Sequence, residues 1–250
     1  MGNQVRDRVE SARIELRLLG GFGLIIDGAG VDVTPAAQRL LAFIALTPRG
    51  AERSYTAFQL WPCNDEHRAK ANLRSALWRL GKVPAELVVA TKSHLRLAPD
   101  VWVDIRHGIA ELADAADDSI VAAALPFQAL DSDLLPDWYD DWLTIERERL
   151  RQFRLGALEE GAVIALKRGR MAQAIQLALA AVAIDPLRES AHRIVVEAHL
   201  VNGNLFDANR QYESFAALLR SQLGCGPSAP FTDLIELAVG PDHRPWLVAV

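Results

Sequence analysis

Cysteine is scarce in this chain: Cys63 and Cys225 are the only two among 250 residues, far apart in sequence. That spacing excludes a disulfide framework or a CxxC metal clip and points to a reducing compartment, the cytoplasm. Each is read as an ordinary small residue, not as a reactive thiol. Long apolar runs are missing, and the N-terminal MGNQVRDRVESARIE is polar with no signal-peptide core, so no membrane partner is expected. Catalytic signatures are missing too: there is no GxxxxGK(S/T), no HExxH and no GxSxG, which removes three common enzyme classes. The six histidines are scattered. His192 and His199 fall seven apart on one expected helix with no third ligand nearby, so a core or surface role is expected over metal binding. Asp140-Asp141 and Glu146/Glu148 read as a solvated or partner-facing surface, not as an acid/base pair. No cofactor, metal or catalysis is expected.

What is present is a folded, asymmetric chain. Half of the residues are hydrophobic and 24% are charged, enough for one large domain or two ordinary ones. The net charge of -5 conceals a division. Residues 1–105 hold 14 Lys and Arg against 11 Asp and Glu, whereas residues 106–250 hold 13 against 21. Within 68–96, seven basic residues face a single acid, Glu86. Such separation suggests two partners, with the basic part suited to phosphate.

The order of elements sharpens this. Residues 14–33, IELRLLGGFGLIIDGAGVDV, have β-prone runs broken by Gly20-Gly21 and Asp27-Gly28, the pattern of a small antiparallel meander. Thr34 and Pro35 suit the cap and first position of a helix over AAQRLLAFIAL. Ser54 is a cap candidate for a second helix, YTAFQLW, ended by Pro62, and Asn64-Asp65 precede a third. The runs ELVVAT and HLRLA, joined by Lys92-Ser93, predict a hairpin, and VWVDI offers a further strand. Strands, three helices and a basic hairpin, in that order, describe a winged helix-turn-helix domain whose third helix enters the major groove.

From about residue 106 the text turns helical and alanine-rich. DSDLLPDWYDDW at 131–142 reads as an acidic turn region, followed by a long helix from about Trp142 to Lys167. Leu166, Gly169 and Ala174 recur as Leu200, Gly203 and Ala208 at a spacing of 34, which agrees with tetratricopeptide-like helical hairpins stacked into a small solenoid. The fold class expected is therefore an α+β winged helix-turn-helix domain followed by an all-α tetratricopeptide-like domain. The expected boundaries are a tail at 1–13, the winged domain at 14–105, the helical domain at 106–240 and a second tail at 241–250.

RAKANLRSALWRLGK at 68–82 is the candidate interface. Leu73, Leu77 and Leu80 with Ala76 form its apolar face, which turns Arg74, Ser75, Trp78 and Arg79 outward, with Arg68, Lys70 and Lys82 near the ends. Arginine can pair with guanine, serine with bases or phosphates, and the terminal cations with phosphates. Trp78 can pack on a thymine methyl or a sugar, or cover the edge of the helical core; the core edge is preferred. Lys92 and His94 on the hairpin are further candidates.

Several segments resemble the SARP family, the Streptomyces antibiotic regulatory proteins: LRLLGGFGLIIDG at 16–28, AAQRLLAFIAL, YTAFQLWP, ANLRSALWRL at 71–80 and LLRSQLGCGPSAPFTDLIEL at 218–237. The resemblance implies an OmpR-type winged helix joined to a bacterial transcriptional activator domain. It implies an activator that binds direct repeats of promoter DNA as a dimer and recruits RNA polymerase and its sigma factor. It also implies that Arg74, Ser75, Trp78 and Arg79 line the DNA face, Arg79 being best placed. Trp78 and ATKSHLRL depart from the family pattern, which puts in question the base preference and the contacts of Lys92 and His94. Larger relatives carry an ATPase after the helical domain; no phosphate-binding loop follows here. The alternative is a repeat-based adaptor whose winged domain binds protein. An enzyme finds no supporting residue.

Overall fold

The computed structural model describes residues 12–115 and 132–239. The C-terminal tail expected at 241–250 lies outside them, as does the N-terminal tail apart from residues 12 and 13. The described residues divide into two compact units, the first built from residues 12–111 together with 132–147, the second from 112–115 and 148–239.

The first unit opens with β1 (Ile14–Arg17), β2 (Gly23–Ile26) and β3 (Ala29–Gly30), an antiparallel meander turned at Asp27-Gly28. Alternation in β1 sends Ile14 and Leu16 into the core and Arg17 to solvent. A fourth strand, β7 (Val101–Val103), pairs parallel to β1, so the sheet order is β3-β2-β1-β7. Between them lie α1 (Pro35–Ala45), β4 (Ala51–Glu52), α2 (Arg53–Leu60), α3 (Glu66–Leu80) and the hairpin β5 (Val88–Ala90) with β6 (His94–Leu97). Strand β4 pairs with β6 to make a second, three-stranded sheet. Helix α1 buries Leu40, Leu41, Phe43 and Ile44.

Two caps differ from expectation. Thr34 holds the cap position of α1, yet its hydroxyl bonds nothing, because the amides of Ala37 and Gln38 already donate to the Thr34 carbonyl. Helix α2 is capped by Glu52, not Ser54. Two carboxylate oxygens accept the amides of Ser54 and Tyr55 at 3.0 and 2.8 Å, which moves the helix start ahead of Ser54 and holds the Glu52 carboxyl below its ordinary pKa.

The stretch before the long helix α5 (Asp141–Lys167) folds onto this first unit. Leu134 bridges Leu19, and the amides of Gly20 and Leu135 donate to the carbonyls of Asp133 and Leu18 at 2.8 and 2.9 Å. Trp138 stacks on Phe22, Trp142 meets Phe43 edge-on, and Arg39 pairs with Asp140. Arg147 fastens the stretch by donating to the carbonyls of Leu134, Leu135 and Trp138. The compact unit that holds the winged elements thus runs into α4 (Asp104–Ala115), breaks after Glu111 and takes up residues 132–147 as well.

The second unit packs α5 residues Leu155, Leu158 and Ala162 against α6 (Met171–Ile184) and α7 (Glu189–Val201), followed by α8 (Leu205–Leu223) and α9 (Ala229–Val239). The spacing of 34 is structural. Helices α5 and α7 end alike: Gly169 and Gly203 both sit at φ +73°, Arg170 donates to the Ala165 carbonyl, and Asn204 to that of His199, each at 2.9 Å. Glycine takes this left-handed turn without a Cβ penalty, and the buried Ala174 and Ala208 then let the next helix approach closely.

Ion pairs fasten the unit where α5 meets the α6–α7 turn. Arg188 holds Glu159 at 2.8 Å, and Arg151 bridges Glu148 and Asp185. Hydrogen bonds from Arg151 and Gln152 lower the Glu148 pKa from 4.5 to about 2. Burial alone would raise that of Glu159, but hydrogen bonds from Arg188 and Ser190 with the Arg188 charge bring it below 4.5. Burial also lowers the pKa of His192, which lies between the Pro186 carbonyl and Gln211. All three pKa values are depressed in the fold, so their contribution to stability is complete above the unfolded values and lost as pH falls. The melting temperature should therefore decline below pH 6.5 as His192 takes a proton and further below pH 4.5 as the partly buried Glu159 does, the exposed Glu148 adding little. Glu159→Gln should lower the melting temperature at pH 7 and flatten the acid branch. An unchanged acid branch in this variant would show that the Glu159 pair contributes nothing to it.

Candidate nucleic-acid interface

Helix α3 begins where Asp65 accepts the amide of Arg68 at 2.8 Å, the cap that the sequence suggests. Ala69, Leu73, Ala76 and Leu80 are buried against the rest of the winged unit, and Leu77 is half-buried. The opposite side follows from the helical period: Ser75 and Trp78 occupy the middle of the outer face, with Arg74 and Arg79 on its two flanks, about 140° apart around the axis. Arg68, Arg74, Ser75, Trp78 and Arg79 are all exposed.

Arg68, Arg74 and Arg79 form no ion pair with any described residue. Lys70 differs. It is half-buried and paired with Glu66 one turn earlier, and the same contact lowers the Glu66 pKa. Its position toward the core side of the helix, one turn from an acid, explains why it is the least free of the candidates.

Trp78 corrects the sequence reading. It does not cover the core edge; it is 62% exposed, because its phase on the helix lies far from Leu73 and Leu80. The Lys82 ammonium, just past the helix end, rests 3.6 Å from the centre of its ring, a cation–π contact. Arg79 and Lys82 also share a cleft with Val31–Thr34, Ala37, Val83 and Pro84.

Lys92 and His94 sit apart from these residues, exposed on the β5–β6 hairpin, with the His94 ring against the Ser93 hydroxyl. The hairpin tip is closed by Thr91, whose hydroxyl accepts the His94 amide at 2.9 Å. Arg53, which sequence reading passed over, and Gly50 set its position. Arg53 donates its amide to Ser93 and its guanidinium to Thr91. Gly50, at φ +80°, lies where a Cβ would come 2.5 Å from Arg96 Cγ and 2.8 Å from the Leu95 carbonyl. Gly50 closes the turn after α1, its amide donating to the Thr47 carbonyl at 2.9 Å; its approach to the hairpin has no local signal in the sequence. No group of three or more His, Cys, Asp or Glu is arranged to hold a metal among the described residues, nor is any described helix long and apolar enough to cross a membrane.

The family model described as the bacterial transcriptional activator domain matches residues 108–237, just over half of the chain. The chain belongs to that family. Among solved structures, this activator-domain protein is similar to Mycobacterium tuberculosis EmbR in complex with a low affinity phosphopeptide, with a TM-score of 0.65 and 21% identity over 92% of this chain and 65% of that one. The likeness is one of fold: a winged helix-turn-helix domain followed by an all-α domain. This chain spans about two thirds of the length of the EmbR chain it matches. No protein of curated function matches it. Family and architecture together are those of a protein that joins a winged helix-turn-helix domain to a bacterial transcriptional activator domain.

Proposed function

We propose that this protein is a sequence-specific DNA-binding regulator that presents the outer face of α3 to the major groove of promoter DNA. The observation that carries the reading is the face itself: three arginines exposed without a counter-ion among the described residues on a helix whose opposite side is locked into the core by Leu73, Ala76 and Leu80. Charges left unneutralised by the fold are available to phosphates and base edges. Arg74, Ser75 and Trp78 face the bases, Arg68 and Lys82 hold the backbone at either end, and Lys92 and His94 touch it from the hairpin. Lys70 contributes less, being paired with Glu66. The winged part, 14–105, carries DNA recognition, and the acidic helical part, 106–240, carries contacts with protein partners. In this reading the regulator is a cytoplasmic activator that binds direct repeats as a homodimer and recruits RNA polymerase through its sigma factor.

The test is a titration of the full chain against the duplex upstream of its own coding sequence and against a random duplex. Binding to the upstream duplex should weaken steeply with salt. Arg74→Ala should cost about 1–3 kcal/mol of specific binding with the fold intact, because a lost arginine–guanine pair is worth that much. Salt-insensitive binding, or equal affinity of variant and wild type, would count against the assigned face and favour an adaptor that binds protein.

A further inference from the structure

The two flanks of the α3 face have different surroundings. Arg74 stands on the open flank. Arg79 instead lines a cleft of about 280 Å³ between the end of α3 and the head of α1, shared with Lys82 and Thr34. Arg79 and Lys82 both line this concavity, with the exposed Asp32 as the acid among its lining residues. The Thr34 hydroxyl, buried beside it, has no hydrogen-bond partner. Neither Arg79 nor Lys82 forms an ion pair with a described residue, so the cleft keeps a net positive charge. Lys82 lies two residues beyond the end of α3, where a flexible side chain would ordinarily sample many rotamers; the ring of Trp78, 3.6 Å beneath its ammonium, restricts it.

We propose that this cleft is a seat for one phosphodiester group of the DNA backbone, with Arg79 and Lys82 as its two cations and Trp78 as the positioning residue that holds Lys82 over it. The proposal rests on the DNA-binding reading and changes two roles within it: Arg79 grips phosphate and reads no base, and Trp78 positions Lys82 instead of facing a base. A cation confined to a concave wall meets a protruding phosphate more readily than the recessed edge of a base pair, and phosphate contacts of this kind fix register without carrying sequence information. Trp78 thereby acts through Lys82. It needs no base of its own, which accounts for a bulky aromatic residue at the middle of the outer face.

The experiment measures affinity of the full chain for the upstream duplex and for a random duplex across a salt series, with Arg79→Ala, Lys82→Ala, Trp78→Ala, Trp78→Phe and the double variant Trp78→Ala/Lys82→Ala. Arg79→Ala and Lys82→Ala should each weaken both duplexes by the same factor and reduce the slope of log affinity against log salt by no more than about 0.9, because both cations act on one phosphate. Trp78→Ala should reproduce the Lys82→Ala slope, the double variant should fall no further on the slope, and Trp78→Phe should restore it. Nuclear magnetic resonance of the free chain supplies a reading without DNA: ring currents should shift the Lys82 methylene resonances upfield, and Trp78→Ala should abolish the shift. A loss confined to the upstream duplex in Arg79→Ala would make Arg79 a base reader and overturn the seat. A Trp78→Ala variant with altered base preference and an intact slope, or Lys82 resonances without a ring-current shift, would overturn the positioning role. Wild-type protein that binds neither duplex overturns the DNA-binding reading and the seat together, an outcome distinct from the others.

Discussion

Gly50→Ala is expected to destabilise the winged unit by about 2–4 kcal/mol, through backbone strain at positive φ and overpacking against a neighbour that cannot retreat. The observed φ is +80°, and the added methyl would meet the Leu95 carbonyl at 2.8 Å as well as the Arg96 side chain at 2.5 Å. Arg96 can swing away, since its side chain is exposed. Leu95 cannot: it is fully buried and its backbone is paired with Ala51 on one side and Ala90 on the other. The strain therefore passes into β6, the strand that carries His94 and positions the hairpin. Urea denaturation should show the lowered midpoint, and DNA affinity should fall with it while Arg74 and Arg79 are untouched. A midpoint equal to that of the wild type would mean that the loop relaxes away from the hairpin.

The second large effect belongs to the helical unit. Phe215 is completely buried, stacked on His192 with ring centres 4.2 Å apart and tilted against Phe231 at 5.9 Å. Around it lie Val196, Ala208, Leu219 and Ile235. Phe215→Ala should cost about 3–5 kcal/mol, the loss of a large ring plus an unfilled cavity, a considerable share of a typical domain's stability of about 5–15 kcal/mol. Amide exchange in α7, α8 and α9 should accelerate, which hydrogen–deuterium exchange would read directly. A cost under about 1 kcal/mol would show that neighbouring side chains collapse into the space. Where the cavity stays open, His192 loses the ring that shields it, and its pKa should move back toward the ordinary 6.5 from which burial depresses it.

The sequence made α3 legible because every signal for it is local: a capping aspartate, leucines at helical spacing and cations on the remaining positions. The 34-residue repeat was equally legible, since glycine at a left-handed helix end and alanine at a close helix contact are dictated by sterics within a few residues. What escaped was long-range. Strand β4 has two residues and exists only through its pairing with β6. The parallel pairing of β7 with β1 joins residues far apart in sequence. DSDLLPDWYDDW reads as an acidic turn, yet Leu134, Leu135 and Trp142 are buried; nothing in its own composition says that Leu18, Phe22 and Phe43 receive it. Trp78 escaped for another reason. Aromatic residues are ordinarily worth burying, and only the position of Lys82 offsets that expectation on an exposed helix face.

The winged unit closes on itself with segments from opposite ends of a long stretch of chain: β1 near its start, β7 beyond residue 100 and the Arg147-fastened segment last of all. On the ribosome, β1 leaves the exit tunnel well before these partners exist. At ordinary rates of synthesis the delay until residue 147 emerges is roughly 7–25 s. Throughout that interval Leu16 and Leu18 lack the partners that bury them completely in the finished fold, so the nascent chain presents an unpaired strand edge of the kind that chaperones recognise.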